Sequence, residues 1–203
     1  MISHKHKFIL ISPQKTGTTS VTKCLLKYAN YKYINKQGIK NPDLFDYVDE
    51  FCNMKPALKV YGSKHIKLRT VRKYLAEKKI DHTKYLHIGM VRNPYSRIIS
   101  DWKWGTHHKK TLNQYLLETN LNKLCDYFIY NSKMQIDTFI RFENMQEDFN
   151  TICDKIGIPK QQLPYINKSK HKHYTEYYDD ETREIVAEKY AKDIEYFGYK
   201  FGE

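Results

Sequence analysis

The residues Phe8-Ile9-Leu10-Ile11 form a continuous apolar run that stops at Ser12-Pro13, the pattern of a buried strand entering a loop. From Thr18 to Ala29 the period changes: Val21, Cys24, Leu25 and Tyr28 fall at helical spacing, while Lys23 and Lys27 face outward. Residues 30–54 have little periodicity and read as irregular, Ala57 to Tyr61 as a short strand closed by Gly62, and Leu68, Val71 and Leu75 as the face of a basic amphipathic helix. A second buried strand is predicted over Tyr85 to Val91. After it Asn93 can cap a helix and Pro94 can take its first position. Tyr95, Ile98, Ile99 and Trp102 give that helix its apolar stripe, and Ser96 and Ser100 share a polar side.

Farther on, helical stretches are predicted over 112–117 and 124–130, and a strand over 139–142. Asn144 with Glu147 has the form of a capping box, opening a helix whose face is Met145, Phe149, Ile152, Cys153 and Ile156 and whose end is Gly157 and Pro159. Asp179 or Asp180 caps one last helix, lined by Val186, Tyr190, Ile194 and Phe197 and stopped by Gly198. Strands alternating with helices at this spacing predict an α/β fold of three layers, a mainly parallel central sheet flanked by helices. At 203 residues, one domain spanning 1–203 is expected.

Composition narrows the chemistry. A net charge of +12 points to anionic ligands, although the lysines are spread along the chain and a solvated basic surface would look the same. Cys24, Cys52, Cys125 and Cys153 stand far apart without a C-x-x-C pair, so they are expected to be thiols in a reducing compartment and not zinc ligands. His107-His108 and His171-x-His173 lack carboxylate or thiolate companions, and no metal is expected. The four-residue run Phe8 to Ile11 is too short for a signal-peptide core or a membrane span, so a soluble, cytoplasmic protein is expected.

The candidate chemistry begins at Lys15-Thr16-Gly17-Thr18-Thr19-Ser20, between a strand and a helix. Backbone N–H groups and the positive end of the helix dipole make such a loop an anion site. Lys15 adds a charge, Thr18, Thr19 and Ser20 add hydroxyls, and Gly17 allows close approach. The loop departs from the nucleotide-kinase pattern G-x-x-x-x-G-K-[ST], because its lysine precedes the glycine. At the next strand end Arg92 can fork onto a phosphate, with Ser100 donating from the following helix.

Pro13-Gln14-Lys15-Thr16-Gly17-Thr18-Thr19 resembles the 5′-phosphosulfate loop P-K-[ST]-G-[ST]-[ST] of sulfotransferases that use 3′-phosphoadenosine-5′-phosphosulfate (PAPS), with Gln14 inserted. Arg92-Asn93-Pro94 with Ser100 resembles the 3′-phosphate motif of the same family. Gly62-Ser63-Lys64-His65 and Arg141-Phe142-Glu143-Asn144 are similar to the G-x-H and R-[FY]-E-[ND] segments of its carbohydrate-type branch, which includes the uronosyl 2-O-sulfotransferases of heparan sulfate and small microbial and viral relatives. Asn167-Lys168-Ser169 sits where that branch has a donor-covering loop.

The resemblance implies in-line sulfuryl transfer from PAPS, without a metal, to an acceptor hydroxyl. It places the donor on Lys15, Thr16, Gly17, Thr18, Thr19, Ser20, Arg92, Ser100, Arg141, Lys168 and Ser169. His65 is the expected base, Glu143 the fallback, and Lys15 the cation on the bridging oxygen. The branch favours a saccharide acceptor, with tyrosine, lipid and small-metabolite hydroxyls left open and no nucleic acid expected. Trp102 and Trp104 can stack on adenine or a sugar, although Trp102 lies on the apolar stripe. Two rival readings stand beside this one: a nucleotide or metabolite kinase, for which no Mg²⁺-holding aspartate stands out, and a non-catalytic basic module that binds polyanions by charge.

Overall fold

The computed structural model describes residues 1–29, 65–104, 106–119, 121–164 and 172–203. Its strands are β1 (Ile2–Ser3), β2 (Phe8–Ile11), β3 (Leu86–Val91), β4 (Ile129–Tyr130), β5 (Lys133–Met134) and β6 (Thr138–Arg141). The helices are α1 (Thr18–Leu25), α2 (Leu68–Glu77), α3 (Pro94–Trp102), α4 (Leu112–Glu118), α5 (Cys125–Phe128), α6 (Met145–Ile156), α7 (Asp180–Lys189) and α8 (Ala191–Phe197). Among the described residues the main sheet has the order β1-β2-β3-β6. The pairs β2–β3 and β3–β6 are parallel, with Ile11 opposite Gly89 and Val91 opposite Arg141, and only β1 runs antiparallel.

The apolar run of β2 is unbroken because both of its faces are covered. Ile9 and Ile11 join Val91 beneath Leu68, Val71 and Leu75 of α2 and Phe128 of α5. Phe8 and Leu10 turn the other way, joining Ile88, Met90 and Ile140 beneath Val21 and Leu25 of α1 and Phe149 and Ile152 of α6. The result is a three-layer α/β fold with a mostly parallel central sheet flanked by helices. Each such side chain, fully buried, stabilises the fold by about 1.5–3 kcal/mol, and truncating Phe149 to alanine costs about 3–5 kcal/mol. A third cluster joins Tyr95, Ile98 and Ile99 of α3 to Leu112, Tyr115 and Leu116 of α4 and Val186 of α7.

Several local expectations hold at atomic detail. Asn93 Oδ1 accepts from the Tyr95 N–H at 3.1 Å with Pro94 in the first turn, Asp179 Oδ1 accepts from Thr182 N–H at 2.8 Å, and Gly157 stops α6 at φ 67°. Others are corrected. No capping box forms at Asn144 and Glu147: a 3₁₀ turn over Phe142–Asn144 runs directly into α6, and Asn144 Nδ2 donates instead to Asp148 Oδ1 at 2.9 Å. The stretch 124–130 is one helical turn followed by the small β4–β5 hairpin.

The single terminal helix is two, broken at Tyr190 (φ −114°, ψ 21°). The break follows from buried polar demands. Tyr190 donates its hydroxyl to Leu121 O at 3.0 Å, and the fully buried Asp193 carboxylate accepts from the N–H groups of Leu124 and Cys125 at 2.6 and 2.9 Å. The strand predicted over 57–61, the irregular stretch 30–54 and Cys52 lie outside the described residues.

Candidate functional site

The carboxyl ends of β2, β3 and β6 lie at one edge of the sheet, which is where open α/β sheets bind ligands. From β2 the chain turns through residues 12–17 into α1. Lys15 takes the left-handed conformation at φ 65°, and so does Gly17 at φ 79°. A Cβ on Gly17 would stand 2.9 Å from Met145 Cε and 2.9 Å from Phe142 Cδ2, so the residue is required by packing as well as by backbone conformation. Among the described residues no side-chain cap bonds to the α1 N-terminus and no acidic residue sits in its first turn, so the helix supplies no anion of its own to the positive end of its dipole.

Thr16 and Thr18 do a different job from the one their hydroxyls suggest. Both donate to Pro13 O, at 2.8 and 3.2 Å, and so draw the loop closed. Thr16 is fully buried, backbone included, so its part is to hold the loop closed, whereas Thr19 is exposed and Ser20 is buried near the helix start.

Arg92, 9% exposed, leaves the end of β3. Its Nε donates to Ser96 Oγ at 2.7 Å, its Nη1 donates to Lys15 O at 3.2 Å, and its guanidinium lies 3.8 Å above the Phe142 ring. Burial pulls its pKa down to about 10, against the pull of Glu143, so it remains a cation at neutral pH. Ser100, half-buried, lies one helical turn beyond Ser96 on α3. Glu143, from the β6 end, accepts from Asn93 N–H at 2.7 Å and from the Tyr199 hydroxyl at 3.3 Å. Those bonds give the fallback base a structural task.

Arg141 donates from Nη1 to Phe197 O at 3.0 Å, with its guanidinium 5.2 Å from the Tyr199 ring centroid. It therefore also ties the β6 end to the last residue of α8. Lys168 and Ser169 lie outside the described residues.

His65 meets the same loop from the approach to α2, its Nδ1 standing 2.7 Å from Ser12 O. A carbonyl can only accept, so Nδ1 carries the proton and the lone pair of the neutral ring is on Nε2. Lys15 Nζ lies 4.3 Å from the centroid of the Trp104 ring. Burial lowers the Lys15 pKa, Asp101 opposes that shift and Arg92 adds to it.

One buried cation escaped the sequence reading. Arg97, 1% exposed, donates from Nε to Gln14 O at 2.9 Å and from Nη1 to Asn122 O at 2.8 Å, which fastens the loop from beneath. Burial lowers its pKa, and the Asp193 charge opposes that shift. The available signal was the face Ser96, Arg97, Ser100 and Asp101, which mixes small hydroxyls with opposite charges where a solvated face would carry Lys and Glu.

Among the described residues no group of three or more His, Cys, Asp or Glu could hold a metal ion, and no helix is long and apolar enough to cross a membrane. A family model described as "Sulfotransferase family" matches residues 1–120 and 118–200. The chain belongs to the sulfotransferase family, and its activity class is sulfuryl transfer to a hydroxyl-bearing acceptor. No curated protein and no solved structure matches it. Neither the kinase nor the non-catalytic module is favoured by that membership.

Proposed function

We propose that this protein transfers the sulfuryl group of PAPS to a saccharide hydroxyl, leaving 3′-phosphoadenosine-5′-phosphate (PAP). The observation that carries the reading is the 2.7 Å contact between His65 Nδ1 and Ser12 O, because an imidazole at the root of the loop that bears Lys15, with Nδ1–H engaged by a carbonyl, supports the choice of Nε2 as the proton acceptor. The backbone N–H groups of 17–19 and the α1 dipole hold the 5′ end of the donor, on a loop that the buried Thr16 keeps closed. Arg92, with Ser100 one turn beyond its partner Ser96, holds the 3′-phosphate. Because Arg92 also holds the Lys15 carbonyl, the two phosphate subsites are mechanically joined.

In the transfer, His65 Nε2 takes the acceptor hydroxyl proton while that oxygen bonds to sulfur. Lys15 moves its ammonium onto the bridging oxygen as the bond from sulfur to that oxygen breaks, stabilising the charge that gathers there. Arg97 keeps the loop in place through Gln14 O. Cationic side chains supply the charge stabilisation, in keeping with a reaction that needs no divalent ion.

The test is transfer of ³⁵S from labelled PAPS, in EDTA, over a panel of saccharides, tyrosine peptides and small alcohols. His65→Gln retains a donor for Ser12 O but no base, so kcat should fall roughly 10²- to 10⁴-fold with PAP binding retained. Transfer by His65→Gln at the wild-type rate would remove His65 from the mechanism.

A further inference from the structure

Trp104 is 61% exposed although its ring covers the Lys15 ammonium, 4.3 Å from the centroid. It follows directly on α3, its N–H bonded to Asp101 O at 2.9 Å, so it is anchored to the helix that carries Ser96 and Ser100. An indole left in water at the rim of an anion site is not explained by the core. The other tryptophan, Trp102, is accounted for: its Nε1 donates to Lys110 O at 3.0 Å and its ring meets Tyr177 edge-on at 5.8 Å.

The chain beyond Trp104 is basic and exposed. A 3₁₀ turn spans His107–Lys109, where His107 stacks on Tyr115 at 5.6 Å and leans on Asp101 O at 3.2 Å. Lys110 pairs with Glu118, while His108 and Lys109 stand exposed on the same turn. An exposed indole followed within five residues by the exposed donors Thr106, His108 and Lys109 is a combination that suits a pyranose ring, whose C–H face can stack on the indole and whose hydroxyls and acid groups can meet the donors.

We propose that Trp104 is the acceptor platform, receiving a sugar ring of an anionic saccharide whose acid groups are met by His108 and Lys109. The inference rests on the sulfuryl-transfer reading above. Lys15 cannot cover the indole and attend the bridging oxygen at once. When the donor binds, Lys15 turns from the ring toward it, which bares the indole face before the acceptor arrives and leaves the ammonium ready to follow the bridging oxygen as its bond to sulfur breaks. A cation–π contact exchanged for a full ion pair favours that direction.

The experiment measures transfer to a uronate-containing oligosaccharide and to its carboxyl-reduced counterpart, which keeps the rings and loses the charge. Trp104→Ala should raise the acceptor KM roughly ten-fold with a much smaller change in kcat, and Trp104→Phe should recover part of the loss. His108→Ala/Lys109→Ala should raise KM for the uronate form only, an effect that fades with added salt. PAP affinity, read by calorimetry, should be unchanged or tighter in Trp104→Ala, and thermal unfolding verifies the fold of each variant.

An unchanged acceptor KM with lost PAP affinity would overturn the proposal and assign the indole to adenine. Transfer to a tyrosine peptide and to no saccharide would overturn the acceptor class. Wild-type protein that binds no PAP would bring down the sulfuryl-transfer reading itself, a result distinct from either.

Discussion

Replacing Gly17 with alanine should damage stability and donor binding together. An alanine at φ 79° carries the left-handed backbone penalty of about 1–2 kcal/mol. Its Cβ would also stand 2.9 Å from Met145 Cε, a free methyl end that can swing away, and 2.9 Å from Phe142 Cδ2, a ring atom that cannot move alone. Overpacking of this kind costs about 1–3 kcal/mol, for a total of about 2–5 kcal/mol. Gly157 provides the control, since it too is left-handed, at φ 67°, but a Cβ there meets nothing within 4 Å.

Gly157→Ala should therefore show only the backbone part. At about 2–4 °C per kcal/mol for a chain of this size, Gly17→Ala should melt several degrees below Gly157→Ala by calorimetry. The Phe142 ring supports the Arg92 guanidinium at 3.8 Å, so Gly17→Ala should also weaken PAP binding while Gly157→Ala leaves it alone. Equal melting temperatures for the two variants, or unchanged PAP affinity in Gly17→Ala, would refute the packing of the loop against Phe142.

Three further outcomes are expected. Burial lowers the Lys15 pKa, so as pH rises its ammonium is lost before that of an ordinary lysine; the rate of transfer should fall on an early alkaline limb, which Lys15→Arg moves to higher pH, and a limb unmoved in Lys15→Arg would assign it to another group. Asp193→Ala strands the N–H groups of Leu124 and Cys125 and removes the charge facing Arg97, so denaturant unfolding should show a loss of about 3–5 kcal/mol; a loss under about 1 kcal/mol would contradict the buried carboxylate's role. Thr16→Val removes the bond to Pro13 O and should cost about 1–2 kcal/mol with PAP affinity little changed, whereas a large loss of affinity at full stability would make the hydroxyl a ligand contact.

What could be read from the sequence was what is set locally. The parallel strands Phe8 to Ile11 and Leu86 to Val91 show as apolar runs because helices cover both faces, and Asn93 and Asp179 cap as their positions suggest. The loop of Lys15, the arginine at 92 and the histidine at 65 were each visible as motifs, and the fold brings them together at one sheet edge. The features that were missed are tertiary. Arg97 is a charged residue at a position that periodicity assigns to solvent and Asp193 a carboxylate set on an apolar face, and the burial of both depends on carbonyls and amides from other segments. The same demand breaks the terminal helix at Tyr190. Asn144 failed as a cap because the 3₁₀ turn before α6 already directs the chain. The meeting of Trp104 with Lys15 spans 89 positions, beyond any local pattern.

The division of labour between the Lys15 loop and Arg92 is tested most directly by titrating PAP and 5′-AMP, which differ only in the 3′-phosphate, into wild-type protein and Arg92→Ala in EDTA. PAP should bind wild type at least roughly ten-fold more tightly than AMP, and Arg92→Ala should bring PAP down toward AMP while weakening AMP far less, by no more than the lost support of the Lys15 carbonyl. Equal affinity of wild type for the two nucleotides, or a loss in Arg92→Ala shared alike by both, would contradict the assignment of the 3′-phosphate to Arg92.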